Sequence, residues 1–93
     1  MSHLIKNAVG TSDDQDPQGN LNCWEDFFNV KADKCSVEKC PETKLVGAHV
    51  TKMFGNDQKT KYIIPMCRDH NNQFGGQLLV YEDTKFMPAD QLG

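Results

Sequence analysis

The apolar positions follow two different periods along the chain. In NCWEDFFNVK, residues 22–31, Trp24, Phe27 and Phe28 fall at i, i+3 and i+4, the one-sided stripe of a short helix. Asn22 is placed to cap it, and Glu25 three residues later approximates a capping box. The stripe predicts a core-packing helix, with an aromatic binding platform as the alternative. In KLVGAHVTKM, residues 44–53, Leu45, Val46, Val50 and the β-branched Thr51 predict a strand. Gly47 marks a bend or bulge within it. FGNDQKT is a turn cluster, and TKYIIPM brings a second strand through Tyr62, Ile63 and Ile64. Together they predict a β-hairpin over 45–66, with Pro65 ending the pairing.

CRDHNNQF then reads as the first turns of a helix, closed by the glycines at 75 and 76. QLLVYED predicts a third strand. TKFMPADQLG predicts a short extended tail that packs back through Phe86 and Met87. Residues 1–20 predict a flexible acidic arm, because GTSDDQDPQGN is polar and broken by Gly and Pro. One small α+β domain over residues 21–93 is the resulting expectation.

Composition sharpens the need for a staple. At 93 residues and 38% hydrophobic, the chain holds a modest apolar core. A domain of this size buries only about 60–70% of the surface that its unfolded chain exposes. Chains this small commonly add a metal or a disulfide. The net charge of −3 argues against strong non-specific nucleic-acid binding. The charge is uneven, however, with eight Lys/Arg against five Asp/Glu in residues 31–70. MSHLIKNAVG carries no sustained apolar segment of a secretory signal, and no window approaches a membrane span of about 20 apolar residues. A cytoplasmic address and no membrane partner follow as expectations. Thiols there stay reduced, so closely spaced cysteines point to metal.

The donors are arranged to match. Zinc takes four N/S ligands, commonly as two close pairs far apart in sequence. Cys35 and Cys40 in KCSVEKCPE form one pair on a tight turn. Cys67 and His70 form the other, three residues apart at a helix start and so on one face. Two disulfides among Cys23, Cys35, Cys40 and Cys67 are the alternative, with three possible pairings, but they leave His70 without a role. Unlinked buried thiols are a further alternative. Iron–sulfur ligation fits less well, since the fourth donor is a histidine. Cys23, beside the aromatic helix, reads as a small buried or partly exposed thiol. His49, in GAHV, is either a structural histidine or a replacement for His70 as the fourth ligand.

The order of Cys turn, hairpin and ligand-bearing helix over residues 35–75 resembles a treble-clef zinc finger. With His49 in the hairpin and Asn71 after the second pair, it resembles the HNH (ββα-metal) nuclease family. HLIKNAVGT, the Trp/Phe helix, CSVEKC, LVGAHV and YIIPMCRDHNN together are similar to small bacterial proteins that carry this finger, which implies fold and not activity. The HNH resemblance implies a structural zinc site, His49 as the general base that activates water, and Asn71 as helix ligand to a second divalent ion. Asn72 is adjacent. Two positions depart from the family. Ala48 stands where a metal-binding side chain often precedes the base, and Tyr62 where an Asn commonly orients it. Without the carboxylate a hard divalent ion would be held by little more than an amide and water. The departures point to a catalytically degenerate member.

Three readings of different classes follow. The first is a monomeric zinc-binding domain with an interaction role, its partner a protein or a nucleic acid. The second is a metal-dependent nuclease using His49. The third is a nucleic-acid-binding finger drawing on Lys31, Lys34, Lys39, Lys44, Lys52, Lys59, Lys61 and Arg68.

Overall fold

The expected hairpin is the frame of the sheet in the computed structural model, which describes residues 2–7, 17–56, 59–71 and 77–92. Its strands are β2 (Leu45–Lys52) and β3 (Lys61–Cys67), paired from Leu45 opposite Cys67 to Thr51 opposite Lys61. Pro65 does not end this ladder. It sits opposite Gly47, and its carbonyl accepts a hydrogen bond from Ser36, away from β2. Because N and O of a strand residue point the same way, the missing proline N–H also faces away from β2 and removes no bond from the hairpin.

Three more strands extend the sheet: β1 (His3–Asn7), β4 (Gln77–Val80) and β5 (Met87–Pro88), in the order β4-β1-β2-β3-β5, all antiparallel. The chain is thus α+β, with helices α1 (Pro17–Phe28) and α2 (Arg68–Asn71) and a 3-10 turn at Ala89–Leu92. β4 matches the third expected strand. The tail packs back as expected, with Met87 buried opposite Ile63 and the Phe86 ring against Tyr62.

The flexible arm expected over 1–20 is corrected at both ends. His3–Asn7 is paired on both sides, to β2 and to β4, and Ile5 is fully buried. Pro17 opens α1, where its fixed φ suits the first helical position. Residues 8–16 of the arm, and the glycines at 75 and 76, lie outside the described residues. Asn22 is therefore inside α1 and exposed rather than capping it. Glu25 serves the other end. Asn29 adopts the left-handed conformation (φ 55°), and the Val30 N–H reaches the Glu25 carbonyl at 3.1 Å. This is the six-to-one bond that ends a helix in a Schellman motif. The Glu25 carboxylate also accepts from the Ala32 N–H at 2.9 Å, which aims the chain toward the cysteine turn.

α1 lies on one face of the hairpin. Leu21 and Trp24 are buried, Phe28 is half-buried, and Phe27 is 49% exposed, so the packed stripe runs through 21, 24 and 28. Gly47 is neither a bend nor a bulge. A Cβ there would stand 2.5 Å from the Leu21 nitrogen and 2.6 Å from the Asn20 carbonyl carbon. Only glycine lets the helix backbone approach this closely. Trp24, Ile63 and Met87 fill the rest of this layer, and Cys23 is half-buried against them.

The opposite face carries the main core of Ile5, Ala48, Val50, Ile64, Met66 and Val80, together with Val37. Residues 36–38 complete it. Ser36 N–H donates to Pro65 on β3, Glu38 N–H to Leu79 on β4, and Tyr81 N–H to Ser36, while Val37 bridges Val80. This short segment spans the gap between β3 and β4 and closes the sheet on itself. Closure satisfies backbone groups that open edges would expose. Near the hairpin turn, the Lys52 ammonium lies 4.4 Å from the Tyr62 ring centroid and 5.0 Å from that of Phe86. The metal-ligating candidates gather at the other end.

Candidate metal centre

Three elements bring the donors together. The closing segment 36–38 is flanked by Cys35 and Cys40, so the bonds that seal the sheet also place both sulfurs. A tight turn makes the pair local: the Cys40 N–H reaches the Val37 carbonyl at 3.3 Å, and Lys39 takes the left-handed conformation (φ 64°). The Lys39 N–H donates to the Tyr81 hydroxyl, pinning the turn to the chain after β4. Cys67 is the last residue of β3, and His70 lies one helical turn on in α2. Asn7 on β1 donates to the His70 carbonyl at 3.3 Å and ties α2 to the sheet.

The four donor atoms of Cys35, Cys40, Cys67 and His70 lie within 4.8 Å of one another. Cys40 Sγ and Cys67 Sγ are 3.8 Å apart, and Cys35 Sγ is 3.7 Å from His70 Nδ1. A tetrahedral zinc ion with Zn–S of about 2.3 Å and Zn–N of about 2.0–2.1 Å requires S···S edges of about 3.8 Å and S···N edges of about 3.6 Å. These two edges fit. The third, Cys67 Sγ to His70 Nδ1 at 3.1 Å, must open by about 0.5 Å to match. All four cysteines are free thiols, and a 3.8 Å sulfur separation is far outside the bond length of about 2.05 Å in a disulfide.

A buried thiolate at this site would need a cation to balance it. Cys35 is fully buried, and burial pushes its thiol up to about 12, with the nearby Cys67 contributing in the same direction. Hydrogen bonds from the Cys67 and Val37 amides act the other way, and the first of these spans 3.3 Å to the sulfur. Amide donors aimed at a buried sulfur suit a thiolate, whose charge a bound metal would balance.

The structure separates the remaining candidates. His49 is 6% exposed, shares the face of Gly47 under α1, and is not one of the four clustered donors. His70 is the histidine of the cluster. Ala48 is fully buried on the opposite face. Asn71 closes α2, and its side chain, like the whole of Asn72, lies outside the described residues. Cys23 is not in the cluster. Sequence reasoning missed Asn7 and the sealing role of 36–38. A lone Asn at the end of a short strand gives no periodic signal, and the seal depends on residues about 30–45 positions away. No family model, no curated protein and no solved structure matches this chain, so its own donor geometry carries the functional reading.

Proposed function

We propose that this protein is a zinc-binding domain whose ion is structural, held by Cys35, Cys40, Cys67 and His70. The pair of tetrahedral edges at 3.8 and 3.7 Å carries the reading. Four protein donors fill the coordination sphere, whereas a catalytic zinc keeps a position for water or substrate. The order of cysteine turn, hairpin and short helix supports a treble-clef arrangement, here with the cysteine turn sewn into the sheet. With no open metal position, the role is to present a surface to a protein partner. Phe27 and Val30, 49% and 40% exposed at the end of α1, support that role.

The other readings find less support. A general base must reach its substrate, and His49 is buried under α1. The cations of 31–70 are partly engaged. Lys31 pairs with Glu25 at 3.8 Å, the Lys34 and Lys52 ammonium groups lie over aromatic rings, and Lys44 and Arg68 share a cleft with Glu42 and Asp69. Such mixing does not make a continuous basic face of the kind that neutralises phosphates.

Metal analysis of protein purified under reducing conditions tests the proposal, with one zinc per chain expected. A strong chelator should then destabilise residues 35–75 and lower the thermal midpoint, because apparent zinc binding of about 10–16 kcal/mol in small fingers is large beside the net stability of about 5–15 kcal/mol of a typical domain. Circular dichroism and a thermal midpoint unmoved by chelation would sink the structural-zinc reading.

A further inference from the structure

The four donors are not equally accessible. Cys35 and Cys67 are buried, at 0% and 3% exposure, whereas Cys40 is half-buried. Its sulfur is 3.8 Å from that of Cys67. Cys40 also ends the sealing turn and leads into residues 41–44, which are exposed. Cys35 is more constrained. Its sulfur accepts from the Cys67 amide, its own N–H bonds Glu42, and Ser36 beside it is bonded to both β3 and β4. The accessible thiol is therefore Cys40, at the end of a turn held by the Cys40–Val37 and Lys39–Tyr81 bonds, and a second sulfur is within reach.

We propose that Cys40 is a peroxide-oxidation site and that its oxidation forms a Cys40–Cys67 disulfide, releasing zinc and loosening the seal at residues 36–38. The inference rests on the zinc reading above. The Cys40 thiolate attacks one oxygen of hydrogen peroxide, the O–O bond breaks, and a sulfenic acid and hydroxide form. The Cys67 thiolate then attacks the sulfenic sulfur and displaces a second hydroxide. The two hydroxides take up two protons and leave as water. The two sulfurs are oxidised by two electrons in all, and the peroxide is reduced by the same two. Cys35 and His70 alone then remain as donors, half of a structural zinc set. The sulfurs must close from 3.8 Å to about 2.05 Å, a movement that strains the Cys40–Val37 and Cys35–Glu42 backbone bonds of the turn and so loosens the seal.

The test treats zinc-loaded, full-length protein with hydrogen peroxide and follows zinc release with a chromophoric chelator, disulfides by peptide mapping, and amide exchange. One zinc released per Cys40–Cys67 disulfide is expected. Faster exchange at the Ser36, Glu38 and Tyr81 amides should accompany it, and dithiothreitol with added zinc should reverse both. Cys23→Ser, outside the cluster, should respond as the parent does. A disulfide joining Cys35 to Cys40, or zinc retained while Cys23 alone is oxidised, would overturn the inference and leave the zinc reading intact. Protein that binds no zinc at all would remove both, so the two failures are distinct.

Discussion

The amide of Cys67 donates to the sulfur of Cys35 at 3.3 Å, across 32 residues of sequence. This bond joins the end of the hairpin to the start of the cysteine turn. It shows that the centre is organised by backbone as well as by side chains. The strand that supplies one ligand also orients another, so the site and the sheet should form together.

Ligand substitution should divide the histidines. Cys35→Ser, Cys67→Ser and His70→Ala should each lose stoichiometric zinc and fold poorly, since removing one of four donors opens the coordination shell. His49→Ala should keep one zinc per chain, though it leaves a gap under α1 and should cost about 1–3 kcal/mol of stability. Metal analysis and urea unfolding of the four variants check this. Zinc lost in His49→Ala and kept in His70→Ala would reverse the assignment.

Zinc affinity should fall as pH falls. Burial pushes the Cys35 thiol up to about 12, so the metal-free fold keeps that proton through the neutral range and zinc must displace it. Titration in buffers of different ionisation enthalpy should show protons released on binding. For the metal-free fold the sign is opposite. A thiol raised from its ordinary value of 9.0 stabilises the fold below that value, and this contribution is lost as pH rises toward 12. Affinity that is flat between pH 6 and 8 would contradict the protonated-thiol account.

Gly47→Ala should destabilise the protein although it adds a single methyl group. The new Cβ would meet α1 backbone at 2.5–2.7 Å, and a helix axis cannot yield as a side-chain tip can. Overpacking of this kind costs about 1–3 kcal/mol. The thermal midpoint of the zinc-loaded variant measures it. An unchanged midpoint would mean that α1 sits farther from β2 in solution.

Plasmid DNA incubated with the protein and Mg²⁺, Mn²⁺ or Ni²⁺ should remain supercoiled. His49 is buried, and Ala48 offers no side-chain oxygen ligand beside it. Metal-dependent nicking abolished by His49→Ala would establish the nuclease reading in place of a structural one.

Some features were legible in the sequence because their causes are local. The alternation and β-branching of 45–51 and the apolar run at 62–64 specify the hairpin. The x4 and x2 spacings specify the four donors, since a tight turn and a helix start place each pair within a few ångströms whatever the rest of the chain does. Other features were legible only in part. The spacing places Trp24 and Phe28 on the packed face, where the structure has them, but it places Phe27 there too, and in α1 the stripe runs through Leu21, Trp24 and Phe28 and leaves Phe27 49% exposed.

By itself, then, the sequence determined the α+β class, the hairpin and the identity of a candidate metal-ligand set. Tertiary structure alone decided where β1 goes, why position 47 is glycine and how residues 36–38 seal the sheet. In HLIKN the buried positions are Ile5 and Asn7, and with only one of the two apolar the period-2 signal is too weak to reveal a strand whose stability comes from partners about 45 and 73 residues away. From the sequence Gly47 reads as a bend or bulge, because the helix that needs its missing side chain lies about 26 residues earlier. Each of these depends on a contact between distant segments, and periodicity records only what neighbours along the chain require.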